Sequence, residues 1–154
     1  MECYEGATMI KTFRGLIADG AQDTIVLHTN DGSTGYRIVK FQIFAEHPGT
    51  SNYENVVKIY KVSQASINDD VDFSDNTLLA VAYLESRSLS DVGHSQNQMV
   101  IFDNEIFNQD IYVTHKDADT GAKCNYYMEL EQVKLDINAN TVATLKDMRN
   151  KAVP

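Results

Sequence analysis

Four histidines, two cysteines and two groups of carboxylates are the residues here that could carry chemistry, and their spacing decides how far that reading goes. His28, His47, His94 and His115 never fall four residues apart and no HExxH occurs, so a metal would need ligands converging from distant segments. Cys3 and Cys124 make no CxxC, which leaves zinc clusters and thioredoxin-like redox chemistry without support and two free thiols. Asp117-Ala-Asp-Thr-Gly alternates carboxylates ahead of a glycine, as a calcium loop does. An EF-hand puts the glycine sixth and a bidentate Glu twelfth; here Gly121 is fifth and Met128 twelfth, so a turn is the better reading. Asp69, Asp70, Asp72 and Asp75 form a denser cluster, read as a solvated acidic loop. Glu129 and Glu131 share a strand face at a spacing too common to specify a glycosidase pair. With no phosphate-binding, nucleophile-elbow or dinucleotide fingerprint, the chain reads as a non-enzyme that calls for no cofactor and no metal.

These residues must be positioned by elements that the alternation of side chains reveals. Met99 to Phe102, Asp110 to His115 and Asn125 to Glu131 are strand-like, the last with Tyr126, Met128 and Leu130 on one face and Glu129 and Glu131 on the other. Val133 and Leu135 continue on the opposite parity, which predicts a bulge or a new strand near Gln132. Asp23 to Thr29 and Tyr36 to Phe44, with Val39, Phe41 and Ile43 on one side, flank Asn30-Asp31-Gly32 and predict a hairpin across residues 30–35. Val56 to Val62 is a strand whose Lys58 and Lys61 should keep some exposure, and the apolar run Thr77 to Leu84 is a strand buried on both faces or a short helix, its length and polar flanks favouring the strand. Segments 46–55, 63–76 and 86–98 read as polar loops. Near the end, Val142, Leu145 and Met148 recur at three-residue spacing, capped by Asn140 or Thr141, and predict a helix over about 139–150.

Seven or eight short strands with one terminal helix imply an all-β protein, an antiparallel β-sandwich of jelly-roll or Greek-key type. A chain of 154 residues suits one such domain, over residues 12–154, preceded by an N-terminal arm at 1–11 for which Met9 would also serve as a start. An apolar fraction of 43% and a charged fraction of 23% belong to a folded protein. The formal charge of −9 opposes broad contact with phosphate backbones, so no nucleic-acid partner is expected; no run is long enough to span a membrane, and no signal peptide is recognisable.

Several strings occur together: Phe13-Arg-Gly-Leu-Ile-Ala-Asp-Gly, Asp23-Thr-Ile-Val-Leu-His-Thr-Asn-Asp-Gly, Ile101-Phe-Asp-Asn-Glu-Ile-Phe-Asn-Gln-Asp-Ile-Tyr-Val-Thr-His, Asn125-Tyr-Tyr-Met-Glu-Leu-Glu and Thr141-Val-Ala-Thr-Leu-Lys-Asp-Met-Arg-Asn. Over residues 12–150 they resemble small proteins of marine tailed bacteriophages. The resemblance implies a virion component assembled in a bacterial cytoplasm, most often a capsid decoration or cement protein whose partner is the major capsid protein and which forms a homo-oligomer, a trimer by preference. It carries no catalytic motif. Interface candidates drawn from the arm and the polar loops are Met1, Cys3, Tyr4, Met9, His47, Tyr53, Val92 and His94. Competing readings are a tail or portal-vertex connector or fibre-base subunit, and a carbohydrate-binding sandwich using exposed tyrosines and the acidic loop around Asp70, with or without calcium.

Overall fold

Burial alternates most clearly along residues 36–45 and 124–130, and the chain resolves into strands. The computed structural model describes residues 9–49, 52–89 and 92–152, which form β1 (Met9–Ile17), β2 (Gln22–Ile25), β3 (Thr34–Ala45), β4 (Tyr53–Tyr60), β5 (Leu78–Leu89), β6 (Val92–Phe102), β7 (Ile111–Asp117), β8 (Cys124–Lys134) and one helix, α1 (Ile137–Ala152). The strands make two packed antiparallel sheets, one of three strands in the order β1-β8-β3 and one of five in the order β2-β7-β4-β5-β6. The expected β-sandwich with a terminal helix is the fold.

The pairs β1–β8, β2–β7 and β4–β5 nest inside one another, first strand with last, as in a jelly roll. The fourth nested pair, β3 with β6, is not formed. Strand β6 pairs with β5 instead, and the edges of β3 and β6 face each other across an open seam of about 380 Å³. Only a side chain crosses it there by hydrogen bond among the described residues: Gln98 Nε2 donates to the carbonyl of Ile43 at 3.1 Å.

Between the sheets lie Ile17, Ile38, Phe41, Ile43, Tyr126, Met128 and Leu130 from the first, and Val57, Ile59, Ala82, Ile111 and Val113 from the second. Each large apolar side chain so buried contributes about 1.5–3 kcal/mol. Phe107 joins them from the β6–β7 connection, where its N–H and C=O bond Tyr36 in an isolated bridge. The alternation read for β8 is the alternation observed, with Tyr126, Met128 and Leu130 buried.

Several expectations are corrected. Asn30-Asp31-Gly32 does turn the chain, with Asp31 Oδ1 accepting the N–H and hydroxyl of Ser33, but no hairpin forms: β2 joins β7 in one sheet and β3 joins β8 in the other. The bulge is not near Gln132. It lies in β3 between Ile38 and Lys40, where Val39 is extruded to solvent so that Tyr36, Ile38, Phe41, Ile43 and Ala45 can all face inward. Of the polar stretch 86–98, residues 90–91 lie outside the described residues and the rest is not loop but the distal half of β5 and β6, paired through Ser86↔Gln96 and Arg87↔Ser95. Lys58 and Lys61 are each 3% exposed rather than partly solvated.

The helix also departs from the reading. It runs from 137 to 152 and its cap is Asp136, whose Oδ1 accepts the Ala139 N–H at 2.6 Å. Val142 and Leu145 are exposed, and the polar side packs inward instead. Asn140 Nδ2 donates to the Asp31 carbonyl at 2.7 Å, and buried Asn108 donates to the Gly32 carbonyl and to Thr144 Oγ1. Gly32 sits beneath this contact at φ 66°, where a Cβ would stand 2.6 Å from Asn140 Oδ1. Gly32→Ala is therefore expected to cost about 2–3 kcal/mol, from left-handed backbone strain plus overpacking. Gly20→Ala, at φ 73° with open space around it, should cost only the backbone part, about 1–2 kcal/mol, and urea unfolding of both variants separates the two contributions.

Candidate functional site

The connection from β4 to β5, residues 61–77, organises the polar chemistry of the five-stranded sheet. Its base is closed by the Lys61 N–H on the Thr77 carbonyl at 2.8 Å, and its near side is tied to β2 by Gln22, which donates to Ser63 Oγ and accepts from the Gln64 N–H. Three Asx turns shape it: Asn68, Asp72 and Asp75 each accept the N–H two residues on, from Asp70, Ser74 and Thr77. Asp72 and Asp75 of the acidic cluster are thus turn-makers. Among the described residues no three His, Cys, Asp or Glu side chains converge as a metal site.

Lys58 clasps this connection across the sheet's outer face. Its ammonium donates to Asn68 Oδ1 at 3.1 Å and to the Asp70 carbonyl at 2.6 Å, and stands 5.5 Å from the Tyr60 ring centre. Burial draws the Lys58 pKa down while the charges of Asp70, Asp69 and Asp75 oppose the fall. Burial, with Asp75 and Asp72 nearby, pushes the Tyr60 phenol up to about 12. The outward side chains Val56, Val81 and Thr114 are buried along with Lys58, which leaves this part of the sheet with two covered faces.

Where the connection returns to β5 it borders a groove of about 670 Å³ that also touches the end of β6 and the helix. Phe73, Ile101 and Phe102 supply exposed apolar surface; Asp75, Asn76, Asp103, Glu105 and Lys146 supply the polar groups. Glu105 Oε1 accepts from Lys61 Nζ and from Lys146 Nζ, both at 2.8 Å. Burial opposes its ionisation, but the bonds and charges of Lys146 and Lys61 outweigh that and hold its carboxyl below the ordinary range.

The outer face of the three-stranded sheet is built differently. Strand register sets its side chains in rows: Ile10, Glu131 and Arg37; Thr12, Glu129 and Lys40; Arg14, Tyr127 and Gln42; Leu16, Asn125 and Phe44. At one end Arg37 is ion-paired to Glu131, Lys40 lies 5.5 Å from the Tyr127 ring centre, and the Tyr127 hydroxyl donates to Glu129 at 3.1 Å, so both glutamates considered for acid–base work are already engaged. At the other end Leu16 and Phe44 are 46% and 64% exposed beside a cleft of about 540 Å³. Gly15 leaves room for the Tyr126 ring, which a Cβ would meet at 3.0–3.1 Å, and Tyr126 donates to Asp23 at 3.0 Å.

Among the described residues, His115, Asp117, His28 and Cys124 are held in contacts within the fold. His115 is fully buried and its Nε2–H donates to Asn55 Oδ1 at 2.8 Å, a contact between β7 and β4. Burial lowers its pKa, against the backbone carbonyls of Ala18 and Ile17 and the charges of Asp19 and Asp117. The folded protein therefore keeps His115 neutral to a pH at which the unfolded chain has already taken up a proton. Stability from this group is complete above the ordinary value of 6.5 and declines as pH falls below it, by up to about 1.4 kcal/mol per pH unit. Urea midpoints at pH 7.5, 6.5 and 5.5 should show that decline, and His115→Gln should flatten it. Asp117, the turn carboxylate, accepts the N–H groups of Asp119, Glu54 and Ala122, and its loss of those bonds belongs to a more acidic range. His28 Nδ1 lies 2.7 Å from Asp110, which also accepts the Leu27 and His28 N–H groups. Burial pushes the Cys124 thiol up to about 12, so it is no nucleophile.

Of the residues expected at an interface, Met1, Cys3 and Tyr4 lie outside the described residues. Met9, counted with the arm, is exposed at the start of β1, and His47 is exposed beside Glu46 in the β3–β4 turn. Tyr53 is a core residue at 4% exposure. Val92 and His94 fall on the β6 backbone. Leu16 and Phe44, and the groove residues Phe73 and Asp103, were missed; the signal for Phe44 was a large apolar residue on the polar parity of its strand. Compared with known proteins, the chain matches no protein-family model and no curated protein.

Proposed function

We propose that this chain is a structural protein of a bacteriophage particle, a capsid decoration protein that binds the outer surface of the major capsid protein and bridges neighbouring subunits, as a trimer. The observation that carries the reading is the outer face of the three-stranded sheet, which is exposed among the described residues. The opposite sheet is covered around Lys58 by its own β4–β5 connection, whereas here Leu16 and Phe44 stand exposed beside a cleft, and the ion pair Arg37–Glu131 and Lys40 border the same face. Exposed apolar side chains at one end of a face, with charged and hydrogen-bonding groups at the other, give it both kinds of contact that a protein-binding surface uses. The resemblance to phage proteins supplies the context, and the charge of −9 keeps the unattached protein soluble and off nucleic acid.

Mass spectrometry of purified particles is the test. The protein is expected at a copy number comparable with the capsid lattice, and Leu16→Asp/Phe44→Asp, whose side chains are outside the core, is expected to remain folded and to co-sediment with particles at least tenfold more weakly. Absence from particles overturns the reading. A few copies per particle would replace it with a tail or portal-vertex position.

A further inference from the structure

The groove between the β4–β5 connection, β6 and α1 shares no lining residue with the cleft on the surface assigned to the capsid, and its chemistry is of another kind. Three of its five polar side chains are already engaged: Asp75 accepts the N–H and hydroxyl of Thr77 at 2.8 and 2.7 Å, and Glu105 is ion-paired to Lys146 of the lining and to Lys61. Two are not. Among the described residues the Asn76 amide and the Asp103 carboxylate line the groove with no hydrogen bond or ion pair, although the Asp103 backbone is anchored on the Leu79 carbonyl at 2.8 Å. Beside them Phe73 is 67% exposed, with Ile101 and Phe102 completing an apolar wall.

We infer that this groove is a saccharide-binding site, a function separate from particle attachment and independent of it. A sugar ring offers adjacent hydroxyls on its edges and a C–H face. The Asp103 carboxylate accepts from one hydroxyl, the Asn76 amide both donates to and accepts from its neighbour, Lys146 donates to a third, and the C–H face lies on Phe73. Anions are disfavoured, because Asp75, Asp103 and Glu105 outnumber Lys146 at the lining. A purely apolar ligand would offer Asn76 and Asp103 no partner in place of the water it displaces. The volume falls in the range of about 300–1,000 Å³ usual for small-ligand sites and leaves room for more than one ring.

The experiment is a titration of the isotope-labelled full chain, followed by backbone amide shifts, with glucose, galactose, N-acetylglucosamine and the disaccharides cellobiose, lactose and chitobiose. At least one is expected to give saturable shifts at Asn76 and across 102–105, with half-saturation near ~1 mM, a binding energy suited to a few hydrogen bonds. Asp103→Ala and Phe73→Ala are each expected to weaken that response roughly tenfold while leaving the melting temperature unchanged, since both side chains are exposed. No saturable shift with any of the six sugars overturns the inference, as does a response that both variants retain. Shifts at the same amides with Nα-acetyl-lysine amide and none with sugars would make the groove a site for cationic peptides instead.

Discussion

Glu105→Ala is expected to lower folding stability by about 3–4 kcal/mol, measured as the free energy of urea unfolding at pH 7. The cost does not come from the glutamate's own contacts alone. Lys61, whose side chain is 3% exposed, has Glu105 as its ion-pair partner, and removing the carboxylate leaves a buried ammonium uncompensated. Lys146 meets the same oxygen at the same 2.8 Å but is 53% exposed, so water replaces its partner at little cost. Lys146→Ala should accordingly change stability by less than about 1 kcal/mol. The double variant Lys61→Met/Glu105→Leu removes both charges together and is expected to recover most of what the single change loses. Acid should act in the same direction as the single substitution. The Glu105 carboxyl is held below its ordinary value of 4.5, so its stabilisation is complete above that pH and disappears as pH falls through the lowered folded value. A Glu105→Ala protein as stable as the parent would show that Lys61 finds another partner.

Phe107→Ala is expected to cost about 3–5 kcal/mol, the effect of emptying a fully buried aromatic site. Phe107 belongs to no strand, yet its ring is in the core and its backbone exchanges two hydrogen bonds with Tyr36, at 2.8 and 2.9 Å. The connection that carries it runs between two strands of the five-stranded sheet, while Tyr36 belongs to the three-stranded one. One residue thus fills the interior and ties the two sheets at their edge. Phe107→Leu keeps much of the volume and should lose less than half as much as the alanine variant. Phe73→Ala, with its ring in solvent, should stay within about 0.5 kcal/mol of the parent. Calorimetric or urea melts of the three variants check the order.

What the sequence disclosed follows from which forces are local. Alternation in β8 was visible because one face of that strand meets the core and the other meets water, so Tyr126, Met128 and Leu130 stand out against Glu129 and Glu131. The turn at Asn30-Asp31-Gly32 was visible for the same reason, since Asp31 and Gly32 act on their immediate neighbours. Which sheet the next strand would join is a choice among distant partners, and no residue of the turn encodes it. The distal part of the β5–β6 hairpin escaped notice because its pairing runs through a stretch polar at nearly every position, where no alternation marks a strand.

The lysines failed in the opposite way. A Lys in a strand ordinarily marks the wet face, and Lys58 and Lys61 are buried only because Asn68, Asp70 and Glu105, remote or in a loop, come to meet them. In the helix, three-residue spacing marked an apolar stripe, but Asn140 and Thr144 found buried polar partners at Asn108 and turned the other side inward. The groove was illegible for a related reason: Phe73, Asn76 and Asp103 come from two connections that only the folded sheet brings together.

The place of β8 at the centre of its sheet sets the order in which a nascent chain can fold. β4, β5 and β6 are neighbours in sequence as well as in space, so their hairpins can close soon after they leave the ribosome. β1 and β3 flank a strand that is translated after all the others, and neither has another partner within its sheet. At about 5–20 residues per second they wait several seconds, with Ile38, Phe41 and Ile43 unburied, until Cys124 to Lys134 emerges and inserts between them.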